Sequence, residues 1–209
     1  MPTHVQQLEA ELPAIQKLAQ SSGANGFYAQ EVLRFRSIAG TMLAVKEFTL
    51  DEKATVDERY ITHILSRSLI ENYFRIIYIF DDPAQTASRY EALKNSFRKE
   101  YSKLLNEPQL PHKDQLEPAG SSWPTSPGEL DLNSMLTQVR NDYGDRLSYL
   151  YFVYRVASFD THGKNLPAIL EDVFGKKCNF PVLKIGQAFE LMANQYLVVL
   201  NDLRSKGVV

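Results

Sequence analysis

Twelve consecutive residues, Leu69-Ile70-Glu71-Asn72-Tyr73-Phe74-Arg75-Ile76-Ile77-Tyr78-Ile79-Phe80, are apolar on nearly every face of a helix. They close a helical stretch expected to run from about Asp51 to Phe80. A helix without a solvent face must be central, so other helices have to cover it. The rest of the chain supplies them. Val5, Leu8, Leu12, Ile15 and Leu18 recur at three- and four-residue spacing, which predicts one amphipathic helix over Val5–Ala19, kinked at Pro13. Ser21 to Gly26 reads as a turn, and a second helix is expected from Tyr28 to Phe48.

Beyond the central helix, Asp81-Asp82-Pro83 is a stop, with Pro83 suited to the first turn of a helix reaching about Leu105. Residues 106–128 hold five prolines and read as an irregular loop, with Trp123 pinning it to the bundle. Further helices are expected at Glu129–Asn141, Asp145–Thr161, Leu166–Phe174 and Pro181–Leu203. No strand or hairpin pattern occurs. The expectation is an all-α, up-down helical bundle forming one domain over 1–209. In it, residues 1–50 form an N-terminal helical extension, 51–105 and 129–205 the core, and 106–128 a Pro-rich insertion.

Composition bounds the function. At 209 residues one core can bury about 70% of the unfolded surface. The net charge of −2 excludes binding of nucleic acid by bulk charge, so any such contact needs a local basic patch. The lone Cys178 cannot staple the chain and is expected to fill space near the last helix. Met-Pro-Thr-His-Val lacks a basic segment followed by an apolar stretch, so no signal peptide is expected, and no apolar run approaches the ~20 residues of a membrane span. A cytoplasmic protein is expected.

Chemistry concentrates in the helix at Asp145–Thr161. Leu147 to Phe159 is almost wholly apolar, and at about 100° per residue its exceptions align. Ser148, Tyr151, Arg155, Ser158 and His162 fall within roughly 80° on one face. A solvent edge usually carries Lys and Glu, so this row reads either as a packing network or as a ligand-facing stripe. His162 stands at the helix C-terminus, with Gly163 as the expected C-cap, where the helix dipole favours imidazolium. On the central helix, Arg67, Glu71 and Arg75 follow at i, i+4 spacing, so one carboxylate can bridge two guanidinium groups. These residues are expected to face the Arg155/His162 row across one partly buried pocket.

The run Tyr154-Arg155-Val156-Ala157-Ser158-Phe159-Asp160-Thr161-His162 holds an Arg, six intervening residues and a His at a helix end. Together with Ser66-Arg67-Ser68-Leu69-Ile70-Glu71 on a preceding apolar helix, it resembles the HEPN superfamily of helical proteins, over about Asp51 to Leu203. Many HEPN members carry a polar residue directly after the Arg, where this chain has Val156. The resemblance implies a helical bundle that dimerises and a metal-independent endoribonuclease, often a toxin or a phage-defence effector. It assigns acid–base catalysis to His162, charge stabilisation to Arg155 and phosphate orientation to Ser158; their own spacing places Arg67, Glu71, Arg75 and Tyr151 around the expected substrate. Other members are non-catalytic interaction or nucleotide-sensing modules, and that alternative stands beside the nuclease, as does an unrelated enzyme using Glu71 and His162. No cofactor is expected and no metal: Gly-rich phosphate loops, paired Cys motifs and His-Glu-x-x-His are absent. His63 lies five residues after Glu58, off its face, and His4 and His112 read as inert.

Overall fold

Helical periodicity becomes helix wherever the chain is described. A computed structural model describes residues 2–44, 56–140, 145–162, 167–177 and 183–209. Among them lie α1 (His4–Ala10), α2 (Leu12–Leu18), α3 (Gly23–Ala44), α4 (Val56–Asp81), α5 (Thr86–Asn106), α6 (Leu132–Gln138), α7 (Asp145–Thr161), α8 (Pro167–Phe174) and α9 (Ile185–Ser205). The described residues include no strand. Cys178, the Gly163 cap and the expected helix ends at Phe48, Asp51, Asn141, Leu166 and Pro181 lie outside the described residues.

The chain divides into two compact units, Met1–Phe74 with Asn141–Val209, and Arg75–Arg140. In the first, α9 is the hub. Ala188, Phe189, Met192, Ala193, Tyr196 and Leu200 are buried along it, and α1, α3 and α7 lie against it. Tyr196 collects edge-on rings: Phe35 at 5.3 Å, Tyr73 at 5.8 Å and Tyr28 at 6.3 Å between centroids. Such pairs contribute about 0.5–1.5 kcal/mol each beyond burial. The Tyr28 hydroxyl donates to the Tyr196 carbonyl at 2.6 Å, which satisfies a polar atom in the core. Burial pushes the phenol pKa of both tyrosines above its ordinary value.

In the second unit, Ile76, Ile77, Ile79, Met135 and Val139 are buried. Arg89 stacks over the Tyr78 ring at 4.1 Å and also donates to the Tyr78 carbonyl. Residues 107–131 hold no α-helix, only two short 3-10 turns at Lys113–Gln115 and Trp123–Thr125. Trp123 sits edge-on to Tyr101 at 6.1 Å, and the Tyr101 hydroxyl donates to the Glu117 carbonyl at 2.8 Å. The loop is thereby tied to α5.

Several expected boundaries move, each for a local reason. The Val5–Ala19 helix is two helices, because Pro13 has no N–H to continue the ladder and serves instead in the first turn of α2. The turn at Ser21–Gly26 is shorter than expected, and α3 starts at Gly23. Gly26 allows this: a Cβ there would stand 1.8 Å from the Ser21 carbonyl oxygen. Pro83 lies in a turn ahead of α5, where the Asp82 carboxylate accepts from the Ala84 amide at 3.1 Å. The Glu129–Asn141 helix is only α6, because Asp131 caps it by accepting from the Ser134 amide at 3.1 Å. Likewise α9 begins at Ile185, later than the expected Pro181 start.

Candidate functional site

Arg67 on α4 and Arg155 on α7 line one open groove, of about 280 Å³, together with Tyr154, Ser158, Phe159 and His162. Four of the six come from α7 and His162 directly follows it, as expected from residues three, four and seven positions apart along one helical path. Arg67 crosses from α4 to meet them. Its Nε donates to the Ser158 hydroxyl at 3.1 Å, a second nitrogen donates to the Tyr154 hydroxyl at 3.4 Å, and the guanidinium lies 5.1 Å from the Tyr154 ring centre. Glu71, one turn along α4, pairs with Arg67 at 3.1 Å. Ser158 in turn donates to the Tyr154 carbonyl at 2.7 Å.

Arg155 differs in its partners. It is exposed, donates to the Tyr151 hydroxyl at 3.4 Å, lies 6.0 Å from the Tyr151 ring, and has no carboxylate partner among the described residues. Tyr151 and Tyr154 stack at 6.2 Å and 29°, over Phe74 at 6.5 and 6.1 Å. The two arginines thus ride on a fixed aromatic bed. His162 follows the last residue of α7, its amide bonded to the Ser158 carbonyl at 3.3 Å, with its ring exposed. Among the described residues, no side chain hydrogen-bonds that ring.

The expected row is therefore assembled in part. Arg67, Arg155, Ser158 and His162 share the groove, while Glu71 and Tyr151 stand behind it as partners of the two arginines. Arg75 does not line it; this residue falls in the second unit, where its Nε meets both Glu129 carboxylate oxygens at 3.2 Å. Phe152 and Phe159, both in the apolar stretch of α7, are each 44% exposed. The apolar surface of α7 is wider than one core contact can cover.

Sequence reasoning missed a second polar cluster between the same helices. His63 Nδ1 donates to Asp160 Oδ2 at 2.5 Å, with the two side chains 2% and 0% exposed. Arg59 is buried beside them; burial lowers its pKa from the ordinary value, and the Asp160 charge opposes that. Thr62 and Ser66, also buried, return their hydroxyls to the carbonyls of Arg59 and Thr62. A signal existed: Asp160 follows Val153, Val156 and Ala157 by seven, four and three residues, so it shares their buried stripe.

Among the described residues, no group of three or more His, Cys, Asp and Glu could hold a metal ion, and no helix is long and apolar enough to cross a membrane. No protein-family model, no curated protein and no solved structure matches this chain.

Proposed function

We propose that this chain is a metal-independent endoribonuclease of the HEPN kind, acting at the Arg67–Arg155–His162 groove. One observation carries the reading: an arginine with no carboxylate partner and an imidazole with no hydrogen-bond partner, among the described residues, open onto the same groove. Charged groups are normally paired where they can be, and an unpaired cation beside a basic hydroxyl-lined wall suits a phosphodiester. In the proposed reaction the ribose 2′-OH attacks the adjacent phosphorus and the P–O5′ bond breaks. The products are a 2′,3′-cyclic phosphate and a 5′-OH end. His162 transfers a proton, Arg155 counters the charge growing on the phosphoryl oxygens, and Arg67 and Ser158 orient the phosphate.

The test is cleavage of total RNA and tRNA in EDTA by the purified chain and by His162→Ala. Wild-type cleavage that drops about 10²–10⁴-fold in the variant is expected. Cleavage unchanged by the substitution, or none from the folded wild type, overturns the proposal. The family resemblance further implies a homodimer, which sedimentation would register as a doubled mass, and a role as a toxin or defence effector. A non-catalytic interaction module is the second reading. Phe152, half exposed one turn from Arg155, favours it, because such a ring suits a protein partner.

A further inference from the structure

We infer that the second unit, Arg75–Arg140, holds a binding site of its own for a small organic anion, centred on Arg89. A groove of about 560 Å³ is lined there by the end of α4, by α5, by residues 128–130 and by α6. That volume lies above the ~300 Å³ lower bound of small-ligand sites. The inference is independent of the Arg67–Arg155–His162 groove, none of whose residues belongs to this unit.

The walls are fastened by bonds within the protein. The Glu129 amide donates to the Ser96 hydroxyl at 2.7 Å, which ties residues 128–130 to α5. A Cβ at Gly128 would stand 2.7 Å from that same hydroxyl oxygen and displace it. Arg89 is part-buried, its guanidinium stacked over the Tyr78 ring at 4.1 Å while one nitrogen donates to the Tyr78 carbonyl. Such a cation is held in place before a ligand meets it.

Hydrogen-bonding capacity in the lining is unevenly spent. A guanidinium carries five N–H donors. Arg89 spends one on the Tyr78 carbonyl and has no carboxylate partner among the described residues. The Ser88 hydroxyl donates toward Gln85 Oε1 at 3.1 Å, and the Tyr78 hydroxyl donates to Gln138 Oε1 at 3.4 Å. Both amides therefore have their oxygens engaged and their NH2 donors without an acceptor among the described residues. Glu129 is the acidic residue of the lining, and Arg75 neutralises it, with Nε 3.2 Å from each carboxylate oxygen. The side chains thus offer spare donors around one uncompensated positive charge.

That pattern selects the occupant. A ligand that satisfies it must accept hydrogen bonds and carry negative charge, as a carboxylate or a phosphate does against a guanidinium edge. Ala92 and the partly exposed Leu130 complete the lining, so an apolar body attached to the anionic group gains by burial.

The experiment is a 1H–15N NMR titration of the Arg155→Ala chain, which lacks the competing cation of the other groove. Benzoate and phenyl phosphate are the probes, and benzamide is the neutral control. At least one anion should bind saturably and shift the amide signals of Gly128, Glu129 and Gln138. The tighter of the two identifies the charged group as carboxylate or phosphate, and benzamide should bind at least ~10-fold more weakly than that anion. Arg89→Gln should weaken the anion roughly 10- to 150-fold, the worth of its charged hydrogen bonds. Gln138→Leu, at an exposed position, should weaken it roughly 2- to 10-fold, and decides the matter if Arg89→Gln does not fold. Benzamide bound as tightly as the anions, or shifts confined to residues outside this unit, would overturn the site. So would no saturable binding of either anion by the folded chain, or undiminished affinity in the folded variants.

Discussion

Helices α4 and α7 meet through polar side chains at two places, and the two meetings differ in their access to water. At His63–Asp160, with Arg59 buried alongside, the groups are sealed from solvent, and the imidazole and the carboxylate are bonded to each other. At Arg67, Arg155 and His162, the groups line an open groove, and two of the three lack an acidic partner among the described residues. The same two helices present both sets. Burial, rather than residue type, separates them: a sealed charge must be neutralised by a neighbour, whereas an open one is held by water until a ligand replaces it. Polar residues of the first kind secure the helices, and those of the second remain available for recognition.

The comparison breaks most sharply at Asp160. Asp160→Ala removes the carboxylate bonded to buried His63 and its charge beside Arg59, and is expected to lower stability by about 3–5 kcal/mol in urea unfolding. A loss under ~1 kcal/mol would mean the cluster is not sealed in solution. Next comes Arg67, whose side chain and that of Glu71 are 22% and 23% exposed. Arg67→Ala removes hydrogen bonds to Ser158 and Tyr154 as well as the Glu71 pair, and should cost about 1–2 kcal/mol by the same measurement.

A more exposed pair sharpens the gradient. Arg204 on α9 and Glu11, between α1 and α2, form a two-pronged ion pair with side chains 38% and 28% exposed. The hydrogen bond from Arg204, aided by its charge, holds the Glu11 carboxyl below its ordinary 4.5. A carboxyl depressed in the folded state contributes stability above its unfolded pKa, and that contribution is lost as pH falls through the folded value. Glu11→Gln should therefore lower Tm at neutral pH by an amount worth only ~0.5 kcal/mol, less in high salt, and flatten the acid limb of a Tm–pH series. A wild-type acid limb that Glu11→Gln leaves unchanged would show that the pair does not form in solution.

The smallest stability effect is expected where the functional effect is largest. Arg155→Ala and His162→Ala should each leave unfolding free energy within about 0.5 kcal/mol of wild type. A loss of 2 kcal/mol or more, on the order of a buried group's, would mean these residues are packing elements and not ligand-facing ones.

How much of this was legible depends on what each residue's neighbours in the chain could say. The bounds of α7 agree with the expected Asp145–Thr161, because an apolar stretch with helical spacing and no Pro or Gly reports itself. Its polar row was legible for the same reason, and Arg67 was placed on the correct helix. Pro13 split a helix that periodicity alone joined, since the missing N–H outweighs a continuous apolar stripe. Asp160 sits on the face of α7 away from the polar row, and no neighbour in the chain points to its partner on α4. The exposure of Phe152 and Phe159 was not legible, because nothing local says how wide a surface the neighbouring helices cover.

By itself the sequence determined that the chain is helical and that Arg155 and Ser158 on α7, with His162 just past its end, share one side, because both follow from a 3.6-residue period acting within a few turns. Only the tertiary structure decided that Arg67 reaches Ser158, that Phe159 opens onto the groove, and that His63 finds Asp160 ninety-seven residues away. Contacts at such separations depend on how helices pack against one another, and local spacing carries no record of that packing.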